Sequence, residues 1–172
     1  AYHIPASVAF NARGFVTVSY SHPDSAYVLL AAELASGEYL HRSVREVGGA
    51  YGAGIRYEPK TGNFCFRTYR DPNIALSNES FGRAIEQLVA GEFSEDDVHK
   101  ATLSVLQQVD VPVKPYQKPF IAYQLLCEER SSDERKNFRH KLLTASASDI
   151  QRASFEHLAC GFNQSVLLTL AS

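Results

Sequence analysis

The sequence predicts an α+β fold, an antiparallel or mixed β-sheet with helices packed on one face. Two hairpin-like strand pairs, residues 7–12 with 15–20 and residues 52–57 with 63–69, supply the sheet. Amphipathic, capped helices fill most of the second half of the chain, and there is no regular strand–helix alternation of the kind a parallel sheet requires.

Taken in order, Val16, Val18 and Tyr20 alternate as a strand does, and Arg13-Gly14 can turn the chain before them. His22-Pro23-Asp24 closes that strand, with Asp24 or Ser25 as the cap of a helix over about 25–46. Tyr27, Leu30, Leu34, Leu40 and Val44 form its apolar stripe, and Gly37 falls on the same stripe, where it permits close packing. Gly48-Gly49 ends the helix. The next hairpin turns through Glu58-Pro-Lys-Thr-Gly62, with Phe64, Phe66 and Thr68 on one face and Cys65, Arg67 and Tyr69 on the other. Gly52 and Gly54 leave its first strand bare enough for another backbone to approach.

Beyond the turn Asp71-Pro72-Asn73, the residues Phe81, Ala84, Ile85, Leu88 and Val89 keep helical spacing up to Gly91. Ser94-Glu-Asp-Asp97, Ser131-Ser-Asp-Glu134 and Ser146-Ala-Ser-Asp149 are capping boxes that open three further helices. A helix over about 120–129 lies between the first two of these, and residues 164–170 form a last strand.

The chain has 172 residues, 45% hydrophobic and 21% charged, enough for one domain with a core of its own. A net charge of -2 and no basic block longer than two residues exclude a nucleic-acid or anionic-membrane partner, and no apolar run is long enough to span a membrane. Cys65, Cys127 and Cys160 sit in apolar stretches without metal spacing and read as buried free thiols in a reducing compartment. The chain opens with Ala and contains no Met, which points to a piece of a longer protein.

Chemistry has few candidates. The histidines are scattered, with no H-E-x-x-H, H-x-x-E-H or paired Cys, so no metal is assigned to this chain. The glycine-rich run 48–54 leads from helix into strand, the wrong direction for a phosphate loop. No G-x-S-x-G or Cys–His pattern is present. What remains is Arg45-Glu-Val-Gly-Gly-Ala-Tyr-Gly52, in which a double-glycine bend separates an arginine from a tyrosine. Residue chemistry leaves two readings open. Arg45 is well placed to complement the helix dipole and Tyr51 to pack at the core edge. Alternatively, guanidinium and phenol together hold a peptide carbonyl or the oxyanion formed from it, while Gly48, Gly49 and Gly52 let the substrate backbone come near. A small-ligand domain with a closed apolar pocket near Gly48 is a third reading.

The segments 40–52, Gly62-Asn-Phe-Cys-Phe-Arg-Thr-Tyr-Arg-Asp-Pro-Asn73 and Asp110-Val-Pro-Val-Lys-Pro115 resemble the C-terminal region of the pitrilysin/insulinase-like zinc peptidases, in the presequence protease and falcilysin-like branch. That branch combines R-E-x-G-G-A-Y-G with G-x-F-x-F-x-S-Y-R-D-P-N, and Thr68 stands where Ser is usual. The resemblance covers nearly the whole chain. It implies four α+β domains in two hinged halves, with residues 1–172 as most of the fourth. It also implies zinc held by the N-terminal half, unstructured peptides as substrates, and Arg45 and Tyr51 as the residues that reach the substrate across the closed chamber. With no zinc motif, this chain alone is expected to be inactive. The compartment implied is a mitochondrial or other organelle lumen, or the bacterial cytoplasm. The alternative within the family is a non-catalytic scaffold or peptide-holding subunit.

Overall fold

The computed structural model describes every residue except Ala1, Ile4, Ala6, Glu129 and Ser172. Its strands β1 (Tyr2–His3), β2 (Ala9–Val16), β3 (Gly52–Glu58), β4 (Asn63–Asp71) and β5 (Val166–Ala171) form one sheet in the order β1-β5-β2-β4-β3. β1 and β5 run parallel and every other pair is antiparallel, so the sheet is mixed. Alternation decides its two faces. Phe15, Tyr57, Phe64 and Phe66 point into the core with Leu30, Leu34, Phe81, Leu88, Ile150 and Leu158. On the opposite face Val16 and Val166 stay 71% and 74% exposed. Helices therefore cover one face only, as the sequence predicts.

The first helix, α1 (Ser25–Leu34), continues without a break into a wider π-helical stretch, Ala35–Val47. Leu30, Leu34, Leu40 and Val44 are buried along it. Widening shifts the phase of the stripe, and Gly37 turns out to solvent with nothing close to where a Cβ would stand. The expected close packing at Gly37 is thus absent. Asp24 occupies the cap position but makes no side-chain cap bond.

The hairpin of β3 and β4 matches expectation. The pair expected from residues 7–20 does not form. β2 runs straight through Arg13-Gly14, because Arg13 pairs with Phe66 and Leu167, and Gly14 with Cys65 and Val166. Arg13 also donates to Ser165 Oγ at 2.7 Å, with its guanidinium 3.8 Å from the Phe162 ring centre. Val18 and Tyr20 leave the sheet, and the Val18 carbonyl accepts from the Tyr57 hydroxyl at 2.7 Å.

All three capping boxes form. They open α3 (Glu95–Val109), α5 (Ser132–Thr144) and α6 (Ala147–Ala153), while α2 (Ile74–Ala90) stops at a left-handed Gly91. After α6 the helix widens over Ser154–Ala159 and closes as α7 (Cys160–Asn163). Helix α4 (Lys118–Cys127) buries no residue and leaves Phe120, Tyr123 and Leu126 exposed. The residue at which the sequence ends this helix, Glu129, lies outside the described residues. Because α4 stands off the body, Cys127 at its end is exposed, as is Cys160, and only Cys65 is partly covered. The expectation of three buried thiols holds for none of them in full.

Candidate functional site

The helix that carries Arg45 ends by wrapping its last amides back on itself. Gly48 N–H donates to the Ser43 carbonyl at 3.1 Å, Gly49 N–H to Arg45 at 3.2 Å and Ala50 N–H to Val44 at 3.1 Å. Two glycines make that wrap possible. A Cβ on Gly48 would lie 2.6 Å from the Val44 carbonyl oxygen, and Gly49 adopts φ +77°, the left-handed region. The chain leaves this bend with Ala50 buried and Tyr51 69% exposed.

Arg45 is exposed in the last turn of the π-helical stretch, where its charge complements the helix dipole. Its Nη1 lies 3.0 Å from His41 Nε2, and His41 Nδ1 is 3.4 Å from the Glu46 carboxylate. Tyr51 turns its ring edge-on to Tyr69 at 5.9 Å between centres. Its backbone N–H donates to the Arg70 carbonyl at 3.3 Å. Arginine and tyrosine thus flank the double-glycine bend with both side chains in solvent. Gly52 sits directly across from Tyr69, with room for a Cβ at 3.7 Å. Gly54 is the place where another element comes close. The Ser36 hydroxyl lies 3.1 Å from the position of its missing Cβ and accepts the Ile55 N–H at 3.2 Å, covering the outer edge of β3.

Three features of the structure were not legible in the sequence. Ala9 pairs with Asp71 and Asn11 with Thr68, so Tyr69 and Arg70 together oppose Phe10 in a β-bulge. Arg70 takes φ +50°, unusual for a residue with a side chain. The third feature is a charge network. His22, Asp24 and His157 bring ligand-type atoms within 4.8 Å of one another, although Asp24 and His157 are 133 residues apart in sequence.

That cluster does not fit a metal. Arg152 grips both Asp24 oxygens, at 3.0 and 2.7 Å, and fixes a positive charge where a cation would sit. His157 Nε2 is 2.8 Å from the same carboxylate, and His22 Nδ1 accepts the Asp24 amide at 3.1 Å. Arg152 holds the Asp24 carboxyl far below the usual carboxylate range. The network ties the start of α1 to the C-terminal helices.

Open cavities lie elsewhere. A groove of about 1010 Å³ runs between α1, α5 and α4, lined by Leu29, Ile55, Ile121, Leu125 and Phe138 with a rim that includes Arg67 and Arg135. A smaller one of about 520 Å³, lined by Arg42, Ser43, Val47, Ser80 and Arg83, adjoins the π-helical stretch and is part polar. It is an open and partly charged hollow, unlike the closed apolar pocket that a small-ligand reading requires.

Residues 3–166, nearly the whole chain, match the family described as the PreP C-terminal domain. The chain belongs to this family. It is 35% identical over 158 residues to the mitochondrial presequence protease of Schizosaccharomyces pombe, covering 91% of this chain and 16% of that protein. It is 36% identical over 148 residues to the mouse mitochondrial presequence protease, covering 84% and 14%. The chain therefore spans about one-sixth of the length of such relatives. Among solved structures, a protease from Helicobacter pylori superposes with a TM-score of 0.78 at 17% identity, covering 99% of this chain and 42% of that one. The peptidase M16 inactive domain from Pseudomonas fluorescens gives 0.77 at 14%, again covering 99% and 42%. At these identities the likeness is one of fold.

Proposed function

We propose that this chain is the substrate-contacting C-terminal domain of a presequence protease-like zinc endopeptidase, most of the fourth of its four domains. Its partners are then unstructured peptides and the N-terminal half of the same protein, in a mitochondrial setting like that named for its relatives. The observation that carries this reading is the exposure of Arg45 and Tyr51 on either side of a left-handed glycine bend. Guanidinium and phenol are both hydrogen-bond donors, and neither is engaged by the core.

Among the described residues nothing fits the zinc that the family implies, and on this reading the metal and its water belong to the other half. What Arg45 and Tyr51 do is bind and orient. Their N–H and O–H groups donate to a peptide carbonyl, and those bonds strengthen as its oxygen gains negative charge. Gly48 and Gly49 form the bend that presents the two donors, and Gly52 keeps a side chain away from the peptide backbone on its way in. Closure of the two halves brings donors and reacting carbonyl together and excludes water, which suits flexible peptides and bars folded proteins.

Mixing this chain with the N-terminal half of its parent protein and assaying an unstructured peptide tests the proposal. Cleavage that needs both parts supports it. Peptide binding without cleavage, from a parent whose zinc motif has decayed, would favour the scaffold alternative instead.

A further inference from the structure

The bulge at the end of β4 aligns three aromatic rings on the uncovered face of the sheet. Tyr51 meets Tyr69 at 5.9 Å and 68°, and Tyr69 meets Phe10 at 5.3 Å and 70°. Both contacts have the edge-to-face geometry that aromatic quadrupoles favour. Phe10 pairs with Leu170 of β5, so the track leads from the glycine bend across β4 and β2 onto an aliphatic strand.

This alignment is held in place at some cost. Arg70 sits at φ +50°, while its neighbours pin the backbone around it. Buried Asn11 donates to Asp71 Oδ2 at 3.0 Å, Asn73 N–H donates to Asp71 Oδ1 at 2.8 Å, and Tyr51 N–H donates to Arg70 itself. Strain that the surroundings over-determine is typical of places that aim a side chain at a ligand. What is aimed here is Tyr69, 48% exposed, with the Arg70 guanidinium 5.6 Å from its ring centre. Gly52, across from Tyr69, has an ordinary φ and room for a methyl group, so a glycine there chiefly keeps the ring's flank uncovered.

We infer that the Tyr51–Tyr69–Phe10 ladder is a specificity wall that takes an aliphatic or aromatic side chain of the bound peptide, next to the carbonyl held by Arg45 and Tyr51. This rests on the functional reading given above. The Arg70 guanidinium beside Tyr69 disfavours a basic side chain, while the open ring surface favours an apolar one over a small polar one.

The test uses the full-length enzyme and pairs of unstructured peptides that differ only by Leu or Ser at one residue flanking the cleaved bond. At one flanking position wild type should prefer Leu by roughly tenfold in kcat/KM, the scale of apolar side-chain discrimination. Tyr69→Ala and Phe10→Ala should collapse that ratio towards one, through KM, whereas Tyr69→Phe should keep it. Tyr69→Gln, a polar and flexible side chain without the ring at this half-exposed position, should behave as Tyr69→Ala does, with melting temperature followed to confirm that both variants fold. Equal losses on both peptides, or an unchanged ratio at every flanking position, would overturn the inference. Arg45→Ala separates the two readings. If it lowers turnover at least tenfold while Tyr69→Ala leaves the ratio intact, only the ladder fails, and if it changes nothing, the underlying site fails.

Discussion

The backbone amide of Tyr51 donates to the carbonyl of Arg70 at 3.3 Å, tying the residue after the glycine bend to the one left-handed, non-glycine residue among those described. Tyr51 is thus positioned by a bulge on the neighbouring strand as well as by the helix end before it. Arg70→Gly removes the steric penalty of φ +50° and should leave thermal stability equal or slightly higher. Arg70→Val, β-branched in the same conformation, should lower it by about 2 kcal/mol. Denaturant midpoints of the two variants check this directly.

Gly49 gives a second prediction. Alanine at φ +77° loses the conformational freedom that glycine has there, and Gly49→Ala should cost about 1 kcal/mol of stability. The same change displaces Ala50 and Tyr51, so in the full-length enzyme peptide turnover should fall by more than the stability loss explains. Equal stability in wild type and variant would show that the bend tolerates a side chain.

The Asp24 network predicts a pH dependence. Its carboxyl is depressed in the fold by the Arg152 hydrogen bonds, so its contribution is complete above the ordinary carboxylate value of 3.8 and is lost as pH falls from there through the depressed folded value. Melting temperatures measured downward from neutral pH should fall more steeply in wild type than in Asp24→Asn. At neutral pH the variant should be less stable by about 2 kcal/mol, the scale of hydrogen bonds to a charged group. Parallel acid profiles for the two proteins would count against the network.

Much of this architecture was written locally. The hairpin of β3 and β4, the Gly48-Gly49 stop and the boxes at Ser94, Ser131 and Ser146 depend on neighbours a few residues apart, and all are where the sequence puts them. What failed depended on distant partners. Arg13-Gly14 has turn chemistry, but the pairing of β2 with β4 and β5 draws it into a continuous strand. Gly37 has the right spacing for an α-helix and the wrong one for a π-helix. At the proposed site, Arg45 and Tyr51 are singled out by their own segment alone. The bulge that brings Tyr69 to Tyr51, and the pairing of Asp24 with Arg152 and His157, join residues with no sequence signal in common.

A core prediction separates folding from chemistry. Phe66 is fully buried, 5.0 Å from the Phe81 ring centre and 5.7 Å from Phe162, and Phe66→Ala should cost about 3–5 kcal/mol. Tyr51 and Arg45 are exposed, and replacing either should leave the melting temperature of the domain essentially unchanged.

The most direct measurement is kcat/KM for an unstructured peptide in the full-length protein carrying Tyr51→Phe or Arg45→Ala, with zinc content and melting temperature followed alongside. Loss of one donor to a developing oxyanion should lower turnover at least tenfold, and by about a hundredfold if the bond forms only in the transition state, with metal and fold intact. Wild-type turnover in both variants would contradict the account and remove these two residues from the site.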